Sequence, residues 1–362
     1  MKQAAILLGD ELLQTPYGKT AHGLLRRSDR FEIVAVAGVK AQPGDAGQLI
    51  GGPALGIPLV ESVAEALAVA RASPQWAIVG VATPGGRMSS RLRSLVLSAA
   101  RKGLSIVNGL HDQLADDPEI AAAIAGHGGQ MLDLRRIKKP SQMQYWTGRI
   151  YDIAATRIAV LGTDCIVGKR TTAWMIVSAL RERSRAAEFI YTGQTGWLQG
   201  ADYGFVLDAT VNDFITGELE SALLACERDR GPDVMVIEGQ SSMQNPSTPC
   251  GSELIVSGDV HGVVLQHVPG RTHFCGYAAL EGRRPSLETE IALIAAYGIP
   301  LLGICLNFSE FDGPSRDAYM SGLSSKYNIP VADPLDGGLG DIITSVIRLV
   351  ERRKRQSGYQ RC

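Results

Sequence analysis

The residues best suited to chemistry lie in one run, Arg157 to Thr172. Gly162 and Gly168 bracket a turn, with Thr163 and Asp164 after the first glycine and Lys169, Arg170, Thr171 and Thr172 after the second. Glycines let a backbone curl until its N–H groups converge, the start of a helix adds partial positive charge, and a lysine there reaches terminal phosphates. The layout is that of a phosphate-binding loop, with two departures. Five residues separate the glycines, one more than in the common motif, and Arg170 stands between Lys169 and the first threonine. Either Thr171 or Thr172 would then meet a magnesium ion. The loop could hold a nucleoside triphosphate or the phosphates of a carrier such as coenzyme A.

Further candidates fall where short apolar runs end. Val234–Ile237 reads as a buried strand finishing at Glu238, a carboxylate suited to magnesium. Gly262–Gln266 is followed by His267 and, beyond Pro269-Gly270, by Arg271, which suits a general base beside an anion site. Asn307 ends the strand Leu301–Leu306. The stretch Thr192 to Gly200 is rich in Gly, Thr and Gln. It reads as a substrate or nucleotide loop rather than core, with Thr192, Gln194 and Thr195 as contacts. The polar loop Ser241–Glu253 is fixed by two prolines and offers Asn245, together with Cys250 as the one cysteine to weigh as a nucleophile. Asp208 and Asp213 bracket a turn, where one of them could help hold magnesium and Asp213 could equally cap a helix.

The elements that must position these residues alternate strand and helix throughout. In the first half, strands are expected at Ala4–Leu8, Phe31–Gly38, Trp76–Val81 and Ser105–Asn108, with helices at Lys19–Arg27, Ser62–Ala72 and Ser89–Lys102. Such alternation predicts a parallel, doubly wound sheet whose ligands sit beyond the carboxyl ends of the strands. Those ends carry Gly9-Asp10, Gly38 to Lys40, Thr83-Pro84-Gly85 and Asn108 to His111. The basic run Arg135, Arg136, Lys138 and Lys139 reads as a solvated linker, with contact to a phosphate or carboxylate as the alternative. The fold class is therefore α/β with two such domains, 1–145 Rossmann-like and 146–362 carrying the P-loop. At 362 residues, each half can bury its own core.

Composition sets outer limits. Hydrophobic residues make up 45% and charged residues 20%, the balance of a globular chain, and the formal net charge of −1 argues against nucleic acid or an anionic membrane as the main partner. Lys2 precedes only a brief apolar strand, so no secretory leader is expected, and the six scattered cysteines fit reduced thiols in a cytoplasm. A small-molecule substrate and a homo-oligomer are the expected partners.

Several stretches carry resemblances. The order "GIPLVESVAEAL", "WAIVGVATPGG", "ARKGLSIVNGLHD" is similar to the CoA-binding Rossmann domain of succinate-type acyl-CoA synthetases, although the GxGxxG fingerprint is missing. The Gly-Thr-Asp…Gly-Lys loop and the Glu238-Gly239 pair resemble dethiobiotin synthetase and its relatives, in which an asparagine placed like Asn307 touches the nucleotide base. Together "GTDCIVGKRTTA", "YTGQTGWLQG", "YGFVLDATVNDFITGELE", "IEGQSSMQNPSTPCGSE" and "LQHVPGR" resemble the D-glutamate N-acetyltransferase-like family. That resemblance implies a Rossmann-like domain followed by a P-loop domain, and acetyl transfer from acetyl-CoA to the amine of an acidic D-amino acid in bacterial metabolism. On this reading His267 or Glu238 is the base, Arg271 and Arg170 hold carboxylate or phosphate, and the Gly162–Lys169 backbone holds CoA. The alternative is an ATP- and Mg2+-dependent ligase or kinase of the dethiobiotin synthetase type. In that case Thr171 or Thr172 and Glu238 would hold the metal.

Overall fold

The computed structural model describes residues 2–39, 44–279 and 284–359, so Lys40 and Cys362 lie outside the described residues. The chain forms two compact units. The first comprises Met1–Lys138 with Gln194–Ala201 and Val206–Thr210; the second comprises Lys139–Gly193, Asp202–Phe205 and Val211–Cys362.

The first unit is built on β1 (Gln3–Leu8), β2 (Phe31–Ala37), β3 (Leu59–Val60), β4 (Trp76–Val79), β5 (Ser105–Asn108) and β6 (Met131–Asp133). All pairings are parallel, in the order β3-β2-β1-β4-β5-β6. This is the strand order of a Rossmann-like sheet, and it reverses direction between β1 and β4. Ala5–Leu8 and Val34–Ala37 are buried, as strands covered on both faces must be. Several of its helices start where a side chain satisfies free N–H groups: Ser62 accepts from the Glu65 N–H, Ser89 from Leu92 and Asp117 from Glu119 and Ile120.

The second unit contains β7 (Thr156–Gly162), β8 (Ala187–Tyr191), β9 (Tyr203–Gly204), β10 (Val234–Glu238), β11 (Gly262–His267), β12 (Leu301–Leu306) and β13 (Val331–Ala332). Again every pairing is parallel, in the order β13-β12-β11-β7-β10-β8-β9. The central strand β7 is buried along its whole length. It ends at the phosphate-binding loop, with β10 and β11 as its two neighbours, so Glu238 and His267 arrive on either side of that loop.

Two polar devices hold this sheet in place. Arg157, buried in β7, donates to the carbonyls of Ile153, Ala155, Gly258 and Asp259 and pairs with the Asp259 carboxylate, while its backbone N–H goes to His261 Nδ1. His261 is thus structural. The segment entering β7 is gripped by one face of the helix Ile215–Arg230: Glu220 takes N–H groups from Thr147 and Ile150, and Glu227 takes those of Ala154 and Ala155.

Two expectations from sequence are overturned. The stretch after Thr192 is not an open loop. Residues Gln194–Leu198 form a short helix in the first unit, with Thr195 against Thr20 and the Gln199 amide donating to the carbonyls of Gly23 and Arg27. Polar side chains pack there because the Thr195 hydroxyl and the Gln199 amide nitrogen find hydroxyl and backbone partners, although the Gln199 Oε1 is buried without one. Arg135 is likewise no solvated linker residue; it is buried and forms a fork onto the Asp208 carboxylate, which accounts for that acid without a metal. Among the described residues no helix is long and apolar enough to cross a membrane.

Arg157 provides a stability test. Arg157→Met should leave several buried carbonyls without a donor and Asp259 with His261 alone, and cost about 2–3 kcal/mol, read as a lower urea midpoint at unchanged m-value. A loss under ~1 kcal/mol would show that water replaces these bonds.

Candidate functional site

The loop takes its form from residues that only glycine, or a strained side chain, can replace. A Cβ on Gly162 would stand 2.8 Å from Val167 Cγ2 and 3.0 Å from Lys169 Cδ, so glycine allows the lysine stem to fold back across the strand end. Gly168 has φ +114° and turns the chain into the helix Lys169–Glu182. Ile166, at φ +55°, is a β-branched residue in the left-handed region. Such strain persists where surrounding bonds over-determine the backbone. Lys169 Nζ donates to the carbonyls of Asp164 (2.6 Å) and Ser241 (2.7 Å) and is buried. Burial lowers its pKa, with Asp164 and Glu238 among the charges opposing that shift.

Asp164 fastens the turn. It is fully buried, and its Oδ1 accepts from Cys165 N (2.7 Å) and Asn245 Nδ2 (2.9 Å). Its Oδ2 accepts from Arg271 Nη1 (3.0 Å) and Cys275 N (2.7 Å). Arg271 also donates to the Cys165 carbonyl and sets its Nε and Nη2 on Glu310. Burial works against the charge on Arg271, but Glu310 and Asp164 outweigh it and raise its pKa overall. Arg271 therefore ties three segments together, and both edges of its guanidinium are occupied.

On one side of the loop, Glu238 is buried at the end of β10. Its Oε2 accepts from Thr192 N (3.1 Å) and Gly193 N (3.2 Å), and its backbone carbonyl takes the Thr192 hydroxyl, to which Gln240 also donates. Burial raises the pKa of this carboxyl; Arg170 opposes that most strongly, followed by the two amides and Lys169. On the other side, His267 Nδ1 lies 2.9 Å from Thr163 Oγ1. Burial lowers the imidazole pKa to about 4, against Glu288 and with Arg271, so the ring is neutral near pH 7. Asn307 donates to the Val167 carbonyl and accepts from Ser309, which ties it to the loop.

The structure thus gathers Gly162, Thr163, Asp164, Gly168, Lys169, Thr172, Glu238, Asn245, His267, Arg271 and Asn307 around one turn. Arg170 and Thr171 lie half-buried in the first turn of the helix. Thr192 joins this group, whereas Gln194 and Thr195 belong to the first compact unit. Cys250 is buried; burial, followed by Glu253, pushes its thiol well above the ordinary range, the wrong direction for a nucleophile. Two contributors had no sequence signal beyond polarity. Gln266 Oε1 accepts the Thr172 hydroxyl at 2.6 Å, and Ser241, at φ +40°, presents its carbonyl to Lys169. A glutamine in the last turn of a buried strand was the one visible cue for Gln266.

Comparisons with known proteins fit this architecture. The family model described as the P-loop domain of a domain of unknown function, DUF1611, matches residues 144–343, and its Rossmann-like companion matches residues 40–137. The chain is 31% identical over 280 residues to a D-glutamate N-acetyltransferase from Pseudoalteromonas, covering 74% of this chain and 80% of that protein. It is 30% identical over 276 residues to a second protein of that name from Tritonibacter scottomollicae, with the same coverage. A crystal structure of a DUF1611 family protein from Anabaena variabilis superposes with a TM-score of 0.85 at 28% identity, over 96% of this chain and 100% of that one.

The neutral His267 sets a pH dependence. Its folded pKa lies below the ordinary value of ~6.5, so the unfolded chain takes up a proton that the native site refuses. Stability linked to this group is complete above pH ~6.5 and falls as the pH drops toward 4, by about 3 kcal/mol in total. Urea titrations at neutral and acid pH should show that decline in the wild type and a smaller one in His267→Gln. Equal declines would remove His267 as its source.

Proposed function

The chain belongs to the DUF1611 family, and from that premise we propose that it is an N-acetyltransferase moving the acetyl group of acetyl-CoA to the amine of an acidic D-amino acid such as D-glutamate. The observation that carries this reading is the neutral His267 imidazole, fixed through Thr163 to the phosphate-binding loop. A thioester donor needs its phosphates anchored, and its reacting carbonyl lies a full pantetheine arm away from them, so with His267 as the base that arm must fold back toward the loop. Here one threonine belongs to the anchor and also touches the base.

In the reaction, the amine nitrogen forms a bond to the thioester carbonyl carbon, the C–S bond breaks, the amine proton passes to a base and CoA leaves as the thiol. His267 serves as that base through Nε2 when the Thr163 oxygen accepts the proton on Nδ1; the opposite tautomer would leave Nε2 a donor. The loop amides, Lys169 and Arg170 hold the CoA phosphates. Arg271, already engaged by Asp164 and Glu310, positions the loop.

Mass spectrometry of purified protein given D-glutamate and acetyl-CoA, with and without magnesium and ATP, tests the reading. N-acetylated product without ATP supports it. Product that requires ATP, with ADP or AMP released, would instead mark a ligase. His267→Ala should lower kcat by ~100-fold or more while the Kd for acetyl-CoA shifts by less than about threefold. Unchanged turnover would take the base role from His267.

A further inference from the structure

We propose that this P-loop grips the pyrophosphate of its ligand without magnesium, with Arg170 as the fixed cation where other P-loops recruit a metal. The inference rests on the acetyl-CoA reading only for the identity of the ligand, since ADP carries the same pyrophosphate chemistry.

In the common motif the residue directly after the lysine is a serine or threonine whose hydroxyl meets the metal, and a strand-end acid faces it. Here Arg170 occupies that position. A guanidinium and a divalent cation within a few ångströms repel each other, and more strongly in a half-buried site than in water. The next hydroxyl, Thr171, points roughly 100° further round the helix, and the one after it, Thr172, donates to Gln266.

The acidic side offers no better fit. Glu238 Oε2 is held by the N–H groups of Thr192 and Gly193. Burial raises the pKa of that carboxyl, and Arg170 is the cation that opposes this most strongly. Both oxygens of Asp164 are filled by protein donors. The hydroxyl that meets the metal in the common motif is therefore replaced by a guanidinium, and the facing acid already accepts two backbone N–H groups. The positive charge a pyrophosphate requires comes from Lys169, Arg170 and the helix start, and a planar guanidinium suits phosphate oxygens well.

Calorimetric titration of the full-length protein with acetyl-CoA, and separately with ADP, tests this with EDTA in excess and again with MgCl2 in excess. For whichever probe binds, the Kd values should agree within about threefold between the two conditions. Arg170→Thr, which installs the hydroxyl of the common motif, should weaken binding in EDTA by ~10-fold or more and recover in MgCl2, while Arg170→Lys should stay insensitive to the metal. A wild-type affinity that falls ~10-fold or more in EDTA overturns the proposal, as does failure of both probes to bind in either condition. Metal-independent binding of ADP with no binding of acetyl-CoA would uphold it while removing the acetyl-transfer reading. If Arg170→Thr does not fold, the wild-type comparison alone decides.

Discussion

A single buried carboxylate organises the second unit. Asp164 has no exposure to solvent, and a charge in that position is tolerable only if it is paired and hydrogen-bonded. Its donors come from the turn itself, from the Ser241–Glu253 loop through Asn245 and from the segment after β11 through Arg271 and Cys275. Three stretches far apart in sequence must therefore close on one point before the loop can take its shape. The strain at Ile166 and Ser241 is understandable as the consequence, since both residues sit where the closure leaves the backbone no choice.

That closure also separates the charges of the site. Arg271 is drawn toward Asp164 and Glu310, whereas Lys169 and Arg170 remain on the side of the helix start with Glu238. His267 lies beyond Thr163, close enough to Arg271 and buried enough to stay neutral. Thr163 is where the two sides meet, since it belongs to the turn and also touches the imidazole. Arg271 adds to the burial that lowers the basicity of that ring.

Much of this was legible in the sequence because parallel sheets write themselves plainly. Buried strands are short apolar runs, and their carboxyl ends are marked by the first polar residue, which identified Glu238, His267 and Asn307 as neighbours of the glycine-bracketed turn. Spacing also exposed Arg170 as foreign to the usual pattern. Tertiary partnership was not legible. Thr192 and Thr195 lie three residues apart in one polar stretch, yet one caps the Glu238 strand end while the other packs against Thr20. Arg135 in its basic run looked like a solvated residue until Asp208 arrived from much further along the chain. The strands Met131–Asp133 and Val331–Ala332 escaped notice because two or three half-buried residues carry no period.

The first unit shows why strand order alone does not assign a ligand. Its order reverses between β1 and β4, the place where dinucleotide-binding sheets open a crevice. In such sheets the turn after the first strand is built from glycines, so that pyrophosphate can approach bare backbone. Here Asp10 occupies that turn, buried, capping Leu12 through one oxygen and accepting the Ser89 hydroxyl from the region after β4 through the other. The two loops that would flank a dinucleotide are tied to each other by their own side chains. Two sheets of related construction have thus been given different treatment at their strand ends: in one a carboxylate ties two loops to each other, while in the other a carboxylate fastens a glycine-bracketed turn ahead of a helix. It is the placement of buried acids, more than the fold around them, that distinguishes the two.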